Sequence, residues 1–214
     1  WALQQAAAGR TEPWLLLTDA DILHGPDSLR RLVAEAEAGG LDLVSRMARL
    51  RCESAAERLL IPAFTWFFTL LYPLRRVNEG RATAAAGGCL LLRRTALEKA
   101  GGLESIRDRV IDDVSLARRI RDVGGRLQLR LSRSRVLSLR EYRSLGSISV
   151  MVRRTAFTQL RRSWLLLAGT LLGLALLFLV PPLAALAVSL HPPAWRISAL
   201  GLAGWIVRAG GYRP

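Results

Sequence analysis

The stretch Trp14-Leu-Leu-Leu-Thr-Asp-Ala-Asp21 decides the predicted fold. Its first five residues form a short apolar run, which is typical of a buried parallel strand. Asp19 and Asp21 follow at the carboxyl end of that strand, where open α/β sheets bind ligands. Two carboxylates one residue apart offer hard oxygen ligands that suit Mg2+ or Mn2+ beside phosphate groups. Turn chemistry is the alternative explanation, because aspartate is common in loops.

Strands and helices alternate along the rest of the first 145 residues. Apolar residues at helical spacing from Leu29 to Ala36 predict a helix that ends at Gly39-Gly40. Further strands are predicted at 41–45, 89–92 and 126–131, and further helices after Thr95 and over 112–122. Thr95 and Glu98 have the spacing of a capping box. The alternation predicts an α/β domain over residues 1–145.

A second acidic pair, Asp112 and Asp113, opens the predicted helix over 112–122. One of them is expected to cap that helix by accepting a hydrogen bond from a free backbone amide. A helix N-terminus also stabilises the carboxylate form, so the other would be an ionised general base near neutral pH. The residues alone leave both explanations open.

The chain is strongly basic, with 31 Lys and Arg against 17 Asp and Glu and a net charge of +14. Such a charge favours a partner that is nucleic acid, anionic lipid or a phosphorylated ligand. Cys52 and Cys89 are too few for a disulfide framework, and His24 and His191 lack metal-ligand spacing.

The C-terminal third predicts membrane attachment. No residue from Trp164 to Leu190 is charged, and about 20 apolar residues suffice to span a bilayer, so residues 164–190 are predicted to be a transmembrane segment. Residues 194–208 are predicted to be a second transmembrane or interfacial segment. Residues 146–163 are predicted to form a basic interfacial helix. The many arginines between Arg130 and Arg162 predict a cytoplasmic flank that binds anionic membrane lipids.

A further apolar stretch, Leu59 to Leu74, contains aromatic residues of the kind found at membrane interfaces. We expect an amphipathic or monotopic element that faces the bilayer, with a core helix as the alternative.

The order of motifs resembles the second half of the family 2 glycosyltransferase domain, and within it the bacterial hopene-associated glycosyltransferases. The motifs that carry the resemblance are Thr18-Asp-Ala-Asp21, Gly87-Gly-Cys-Leu-Leu-Leu-Arg-Arg94, Gly101-Gly102, Asp112-Asp-Val-Ser-Leu-Ala-Arg-Arg119 and Gln159-Leu-Arg-Arg162. The resemblance covers nearly the whole chain. It implies a partial GT-A (Rossmann-like) domain followed by transmembrane helices, at the cytoplasmic face of a bacterial inner membrane.

The same resemblance implies inverting transfer of a sugar from a nucleotide-sugar donor to a lipid-associated acceptor, with a link to hopanoid metabolism. Asp19 and Asp21 would hold Mg2+ or Mn2+, and Asp113 would be the catalytic base. The residues implied to lie over the donor and acceptor channel are Gln159, Arg162 and Trp164.

The chain departs from the family's pattern in two places. Processive members have Gln-x-x-Arg-Trp, whereas Ser163 stands here between Arg162 and Trp164, a departure that argues against a processive synthase. The family's first strand and early aspartates have no counterpart before Trp1, so we expect the isolated 214 residues to be inactive.

Three other functions remain as alternatives. A non-catalytic, basic, membrane-anchored scaffold would need the arginines and apolar segments but no convergence of Asp19, Asp21 and Asp113. A nucleic-acid binder would need aromatic residues interleaved with the arginines as stacking platforms, and this pattern is missing. A glycosidase would use two carboxylates without a nucleotide donor.

Overall fold

The computed structural model describes residues 2–107, 112–160, 163–180 and 183. The chain divides into two units, residues 1–148 and 149–214. The elements in chain order are α1 (Ala2–Ala7), β1 (Trp14–Thr18), β2 (Ile22–His24), α2 (Ser28–Gly39), β3 (Leu43–Met47), α3 (Ala55–Leu71), α4 (Leu74–Asn78), β4 (Cys89–Arg93), α5 (Arg94–Lys99), a short 3-10 helix (Leu103–Ile106), α6 (Asp112–Asp122), β5 (Leu127–Leu131), β6 (Val136–Ser138), α7 (Leu145–Gln159) and α8 (Trp164–Phe178).

The first unit contains a mixed sheet in the order β1-β4-β3-β5 and a small sheet of β2 and β6. Strand β4 pairs antiparallel with both β1 and β3, and β3 pairs parallel with β5. The predicted α/β domain is therefore present. The prediction that β1 is a parallel strand is wrong about its pairing, because the strand beside it runs in the opposite direction.

The central strand β4 separates two layers of the core. Leu90 and Leu92 pack with α5 and α6 on one face, whereas Cys89 and Leu91 pack with α2 on the other. Alternation of this kind follows from the two-residue period of a strand. The four-residue apolar run of β4 is continuous because helices cover both faces of the sheet.

Helix α2 ends as the sequence predicts. Its last residue is Gly39, and the C-cap Gly40 has φ 56° and ψ 42°, the left-handed conformation that glycine adopts without steric cost. The chain then turns directly into β3.

The capping box predicted at Thr95 and Glu98 is wrong. Helix α5 begins at Arg94, and its N-cap Arg93 makes no side-chain capping bond. Strand β4 runs straight into this helix, so no loop residue is available to cap it. A capping box is present instead at α3, where Ser54 and Glu57 bond each other's backbone amides.

Helix α3 occupies most of the apolar stretch predicted to face a bilayer. Phe64 and Phe68 pack on a core cluster that includes Met47 and Leu129. Leu59, on another part of the same helix, is 67% exposed. The helix thus contributes to the core, as the alternative interpretation expects, and it also leaves apolar side chains on the surface.

In the second unit, α8 is a 15-residue helix within the predicted segment 164–190. Within the described part of the chain, no helix is both long and apolar enough to cross a membrane. The predicted segment 194–208 lies outside the described residues.

Candidate functional site

The two aspartates after β1 lie in a tight turn between the sheets. Thr18 ends β1, and the amide of Ile22, which begins β2, donates to the Asp19 carbonyl at 3.2 Å. Asp19 and Asp21 therefore lie at the carboxyl end of β1, the position from which such side chains reach a ligand crevice.

Thr18 links this turn to the Gly87-Gly88 segment before β4. Its hydroxyl donates to the Gly88 carbonyl at 3.0 Å and lies 2.8 Å from His24 Nε2. A Cβ on Gly88 would lie 3.3 Å from Ile22 Cδ1, so the segment packs closely against the start of β2.

Asp113 lies beside the first of these two glycines. A Cβ on Gly87 would lie 3.4 Å from Asp113 Oδ2, and the amide of Val114 donates to Asp113 Oδ1 at 2.7 Å. Burial raises the pKa of Asp113 to about 6, and the charge of Asp112 adds to that increase, whereas hydrogen bonds from the amides of Val114 and Gly87 oppose it. Asp113 is half-buried, whereas Asp112 is exposed.

The segments that carry the predicted acidic residues share one neighbour, the Gly87-Gly88 dipeptide. Thr18, which precedes Asp19, contacts Gly88, and Asp113 contacts Gly87. Asp113 and the strand end that leads to Asp19 are thus both adjacent to this dipeptide, although they are more than 90 positions apart in the sequence. A basic and an aromatic side chain also approach this turn.

Those two side chains come from the segment after β6. Arg140 Nε lies 3.5 Å from Asp21 Oδ2, and the amide of Leu139 donates to the Asp21 carbonyl at 2.8 Å. Burial is the main cause of a raised pKa at Tyr142. Arg140 opposes that increase, and Asp21 adds to it. Tyr142 is a neighbour of the acidic turn that the sequence analysis did not identify.

Glu57 holds this segment in place. Its carboxylate is fully buried and accepts from the amides of Glu53, Ser54 and Tyr142 at 2.7 to 2.9 Å. The Ser54 hydroxyl donates to the Tyr142 carbonyl at 3.0 Å. These amide hydrogen bonds lower the pKa of Glu57 to about 2. The spacing Ser54-x-x-Glu57 is the sequence signal that would have identified the pair.

The oxygen ligands available at the turn fit a hard divalent cation. Asp19 and Asp21 provide carboxylate oxygens, and a cation that shares its site with phosphates needs only one or two carboxylates from the protein. The side chains of Arg140 and Asp21, which form an ion pair, are 59% and 36% exposed. An exposed ion pair is weak, so Arg140 competes little with a cation for the Asp21 carboxylate. Among the described residues, no three His, Cys, Asp or Glu side chains form a cluster that would bind a metal by itself.

Two of the other predicted site residues lie in the second unit, and one lies outside the described residues. Gln159 is the last residue of α7, Trp164 is the first residue of α8, and Arg162 is the one outside. Trp164 is 75% exposed. Ser163, which separates Arg162 from Trp164, accepts from the amide of Leu166 at 3.3 Å and is the N-cap of α8. The departure from Gln-x-x-Arg-Trp therefore has a structural role.

Comparison with known proteins gives one family and a group of structures. The family described as glycosyl transferase family 21 matches residues 2–212, and no curated protein matches significantly. The chain is similar to the mannosyltransferase PcManGT from Pyrobaculum calidifontis, solved in complex with GDP-Man and Mn2+. The two are 19% identical, with a TM-score of 0.47 and coverage of 99% of this chain. The chain spans 65% of the length of that protein.

The family match and the sequence resemblance agree at the level of glycosyltransferase. They differ in the family number, which is 21 in the match and 2 in the resemblance. Family 2 membership and the narrower resemblance to hopene-associated enzymes remain predictions.

Proposed function

The chain belongs to glycosyl transferase family 21, and from that premise we propose that it provides the acidic residues for an inverting sugar transfer. The donor is a nucleotide-sugar and the acceptor is lipid-associated. The observation that carries the proposal is Asp113, a half-buried carboxylate at the start of α6 whose pKa is about 6 and which lies beside the Gly87-Gly88 segment. A carboxylate of that pKa is mostly ionised at neutral pH and is a stronger base than an ordinary aspartate.

Asp113 accepts the proton of the acceptor hydroxyl as the hydroxyl oxygen bonds to the anomeric carbon of the donor. The bond between that carbon and the diphosphate oxygen breaks, and the nucleotide diphosphate leaves from the opposite face. Inversion of configuration follows from this in-line displacement. Val114 keeps the carboxylate oriented through its amide, since Oδ1 accepts that hydrogen bond and Oδ2 faces Gly87.

Asp19 and Asp21 are the proposed ligands of Mg2+ or Mn2+. Such a cation, when bound, supplies positive charge that offsets the negative charge of the departing diphosphate. Arg140 and Tyr142 lie beside Asp21 and restrict its carboxylate. Gln159, Arg162 and Trp164 are proposed to contribute to donor and acceptor binding, with Arg162 as a phosphate-binding residue.

We further propose that the protein is attached to the bacterial inner membrane with its catalytic domain in the cytoplasm. Leu165 and Leu172 of α8 are 82% and 62% exposed, which is costly in water and favourable in lipid. The arginine-rich segment before α8 supports contact with anionic lipids on the cytoplasmic side. On this proposal the apolar segment 164–190 spans the bilayer, and a link to hopanoid metabolism rests on the sequence resemblance alone.

The test uses the natural full-length protein in detergent with a panel of nucleotide-sugars and a membrane lipid extract as the source of acceptor. Nucleotide release and the appearance of a glycosylated lipid are measured with Mg2+, with Mn2+ and with EDTA. We expect both products with one donor, and loss of both in EDTA.

Two results would contradict the proposal in different ways. Failure of every donor would favour the non-catalytic scaffold. Transfer that proceeds unchanged in Asp113→Asn would remove the base role from Asp113 while leaving the glycosyltransferase activity in place.

A further inference from the structure

A second concave site lies away from the acidic turn, beside helix α2. It is a cleft of about 480 Å3 between α2, the end of β3 and the loop that joins β5 to β6. Its lining includes no residue of the Asp-x-Asp turn, of Gly87-Gly88 or of α6. The feature that distinguishes it is its basic side chains, which are Arg31, Arg46, Arg130, Arg133 and Arg135.

Two carboxylates only partly neutralise these arginines. Glu35 pairs with both Arg46 and Arg130, and Asp27 pairs with both Arg31 and Arg135. Five guanidinium groups therefore meet two acids, which leaves an excess of three positive charges. Like charges held together in this way repel one another unless an anion joins them.

One arginine of the cleft is fixed, and the others are accessible. The Arg46 side chain is 11% exposed and bonds Glu35, Gln128 Oε1 and the Ser45 carbonyl. The side chains of Arg31 and Arg130 are about 60% exposed. Arg133 makes no ion pair within the described part of the chain. A guanidinium has five N–H donors, so one carboxylate partner leaves donors of Arg130 available.

The chemistry of these donors selects phosphate. Guanidinium groups bind phosphate oxygens with paired, charge-assisted hydrogen bonds. The hydroxyl groups of Ser132 and Ser134 lie in the same loop and line the same cleft. The volume is larger than a single ion requires and lies in the usual range for small-molecule sites.

We propose that this cleft binds the phosphate or diphosphate group of a ligand other than the sugar donor, either a soluble phosphorylated molecule or a lipid headgroup. Arg130, Arg133 and Arg135 contact the phosphate oxygens, and Arg46 with Glu35 forms the rigid base of the site. This inference does not depend on the sugar-transfer reaction, because it involves other residues.

The test measures binding of inorganic pyrophosphate to the whole chain by calorimetry at low ionic strength. EDTA is present throughout, so that the proposed cation site at Asp19 and Asp21 does not hold pyrophosphate through a metal. In the variant Arg130→Gln/Arg133→Gln, affinity is expected to fall by about tenfold or more, while Glu35 keeps Arg46 as its partner. The single variant Arg133→Gln, at an exposed residue outside the ion pairs, is expected to weaken binding several-fold without a change in thermal stability.

A matched control removes the same charge elsewhere. Arg75→Gln/Arg76→Gln lies on α4, where both residues are exposed, and it should leave pyrophosphate binding nearly unchanged. The proposal is overturned if the wild-type chain does not bind pyrophosphate, if the cleft variants bind it as well as wild type does, or if the control pair weakens binding as much as the cleft pair.

A second experiment distinguishes a lipid headgroup from a soluble phosphorylated ligand. Sedimentation with vesicles of phosphatidylcholine, alone or in equimolar mixture with phosphatidylglycerol, is compared for wild type and Arg130→Gln/Arg133→Gln. Loss of both vesicle and pyrophosphate binding in the variant supports a lipid headgroup as the ligand. Loss of pyrophosphate binding alone supports a soluble ligand.

Discussion

Asp113 and Gly87 are in contact in this fold, and a methyl group on Gly87 would lie 3.4 Å from Asp113 Oδ2. The glycine leaves the carboxylate partly open, whereas α6 and the segment before β4 bury the rest of it. This contact joins the start of α6 to the Gly87-Gly88 segment, which Thr18 at the end of β1 also contacts.

Asp113→Asn in the full-length protein is expected to lower kcat by about 10²- to 10⁴-fold, because an amide does not accept the acceptor's proton. The matched control is Asp112→Asn, which removes the same charge from the exposed neighbouring residue. Nucleotide release is the measurement for both. Equal losses of kcat in the two variants would show that negative charge at the start of α6, and not proton acceptance by Asp113, causes the effect.

The pH dependence of transfer should follow the pKa of Asp113, which is about 6. Below that pH the carboxylate becomes protonated, so the rate is expected to fall by about tenfold per pH unit. Initial rates measured across this range at saturating donor give the midpoint. A profile that stays flat down to the ordinary pKa of aspartate would exclude Asp113 as the base.

The same group should make folding less favourable as pH rises. The folded state holds the Asp113 proton up to about pH 6, whereas the unfolded chain releases it near 3.8, so between these values the folded state binds more protons and loses stability with increasing pH. Asp113→Asn should therefore be more stable than wild type at neutral pH. The gain should disappear at pH 4 and below, which denaturant unfolding at several pH values would measure.

Glu57→Gln is expected to lower the melting temperature by several degrees, since an amide accepts fewer hydrogen bonds than the carboxylate that now binds three backbone amides. The pKa of Glu57 is lowered from 4.5 to about 2. Its stabilising effect is therefore complete above pH 4.5 and is lost as pH falls through 2. Thermal melts at several pH values test this.

The control for Glu57 is Glu53→Gln, at a side chain that is 69% exposed and paired with Arg51. It should change the melting temperature little, because exposed ion pairs contribute little. A variant of Glu57 that melts like wild type would mean that the Ser54 contacts alone hold the Tyr142 segment.

Gly87→Ala should raise the apparent pKa of the rate profile, because the added methyl group further desolvates the Asp113 carboxylate. The change should also reduce transfer at neutral pH. In an Asp113→Asn background the same substitution should have little effect on the residual rate, which is the double-mutant test of coupling. A shift that persists without Asp113 would assign the titration to another group.

The local sequence pattern predicts the positions of most helices and strands. It does not predict which strands pair with each other. The apolar runs at Trp14 and Cys89 predict β1 and β4 at their observed positions. Strand β3 begins two residues later than predicted, at Leu43, and the side chain of Asp42 just before it bonds the amide of Arg126 and pairs with Arg93. The direction of β1 relative to its neighbour depends on a partner that no local signal identifies.

Some residues of the candidate site are predictable from the sequence and others are not. Asp19, Asp21 and Asp113 are visible in the sequence because each lies within a few residues of the end or the start of a predictable element. Glu57 and Tyr142 are 85 positions apart, and a capping pattern at Ser54 does not indicate which distant amide the glutamate also binds. The arginine cleft could not be predicted, because its arginines come from three separate segments that no local pattern connects.

The pairing of β1 with β4 also limits the order in which a ribosome-bound chain can assemble. Within the described strands, β4 is the one neighbour of β1 in the main sheet, and the two are joined at Trp14↔Arg93 through Thr18↔Cys89. The pairing that joins the Asp19–Asp21 turn to the Gly87-Gly88 segment therefore forms only after synthesis has passed Arg93. Until then, the backbone groups of β1 that pair with β4 are open to chaperones and to other nascent chains.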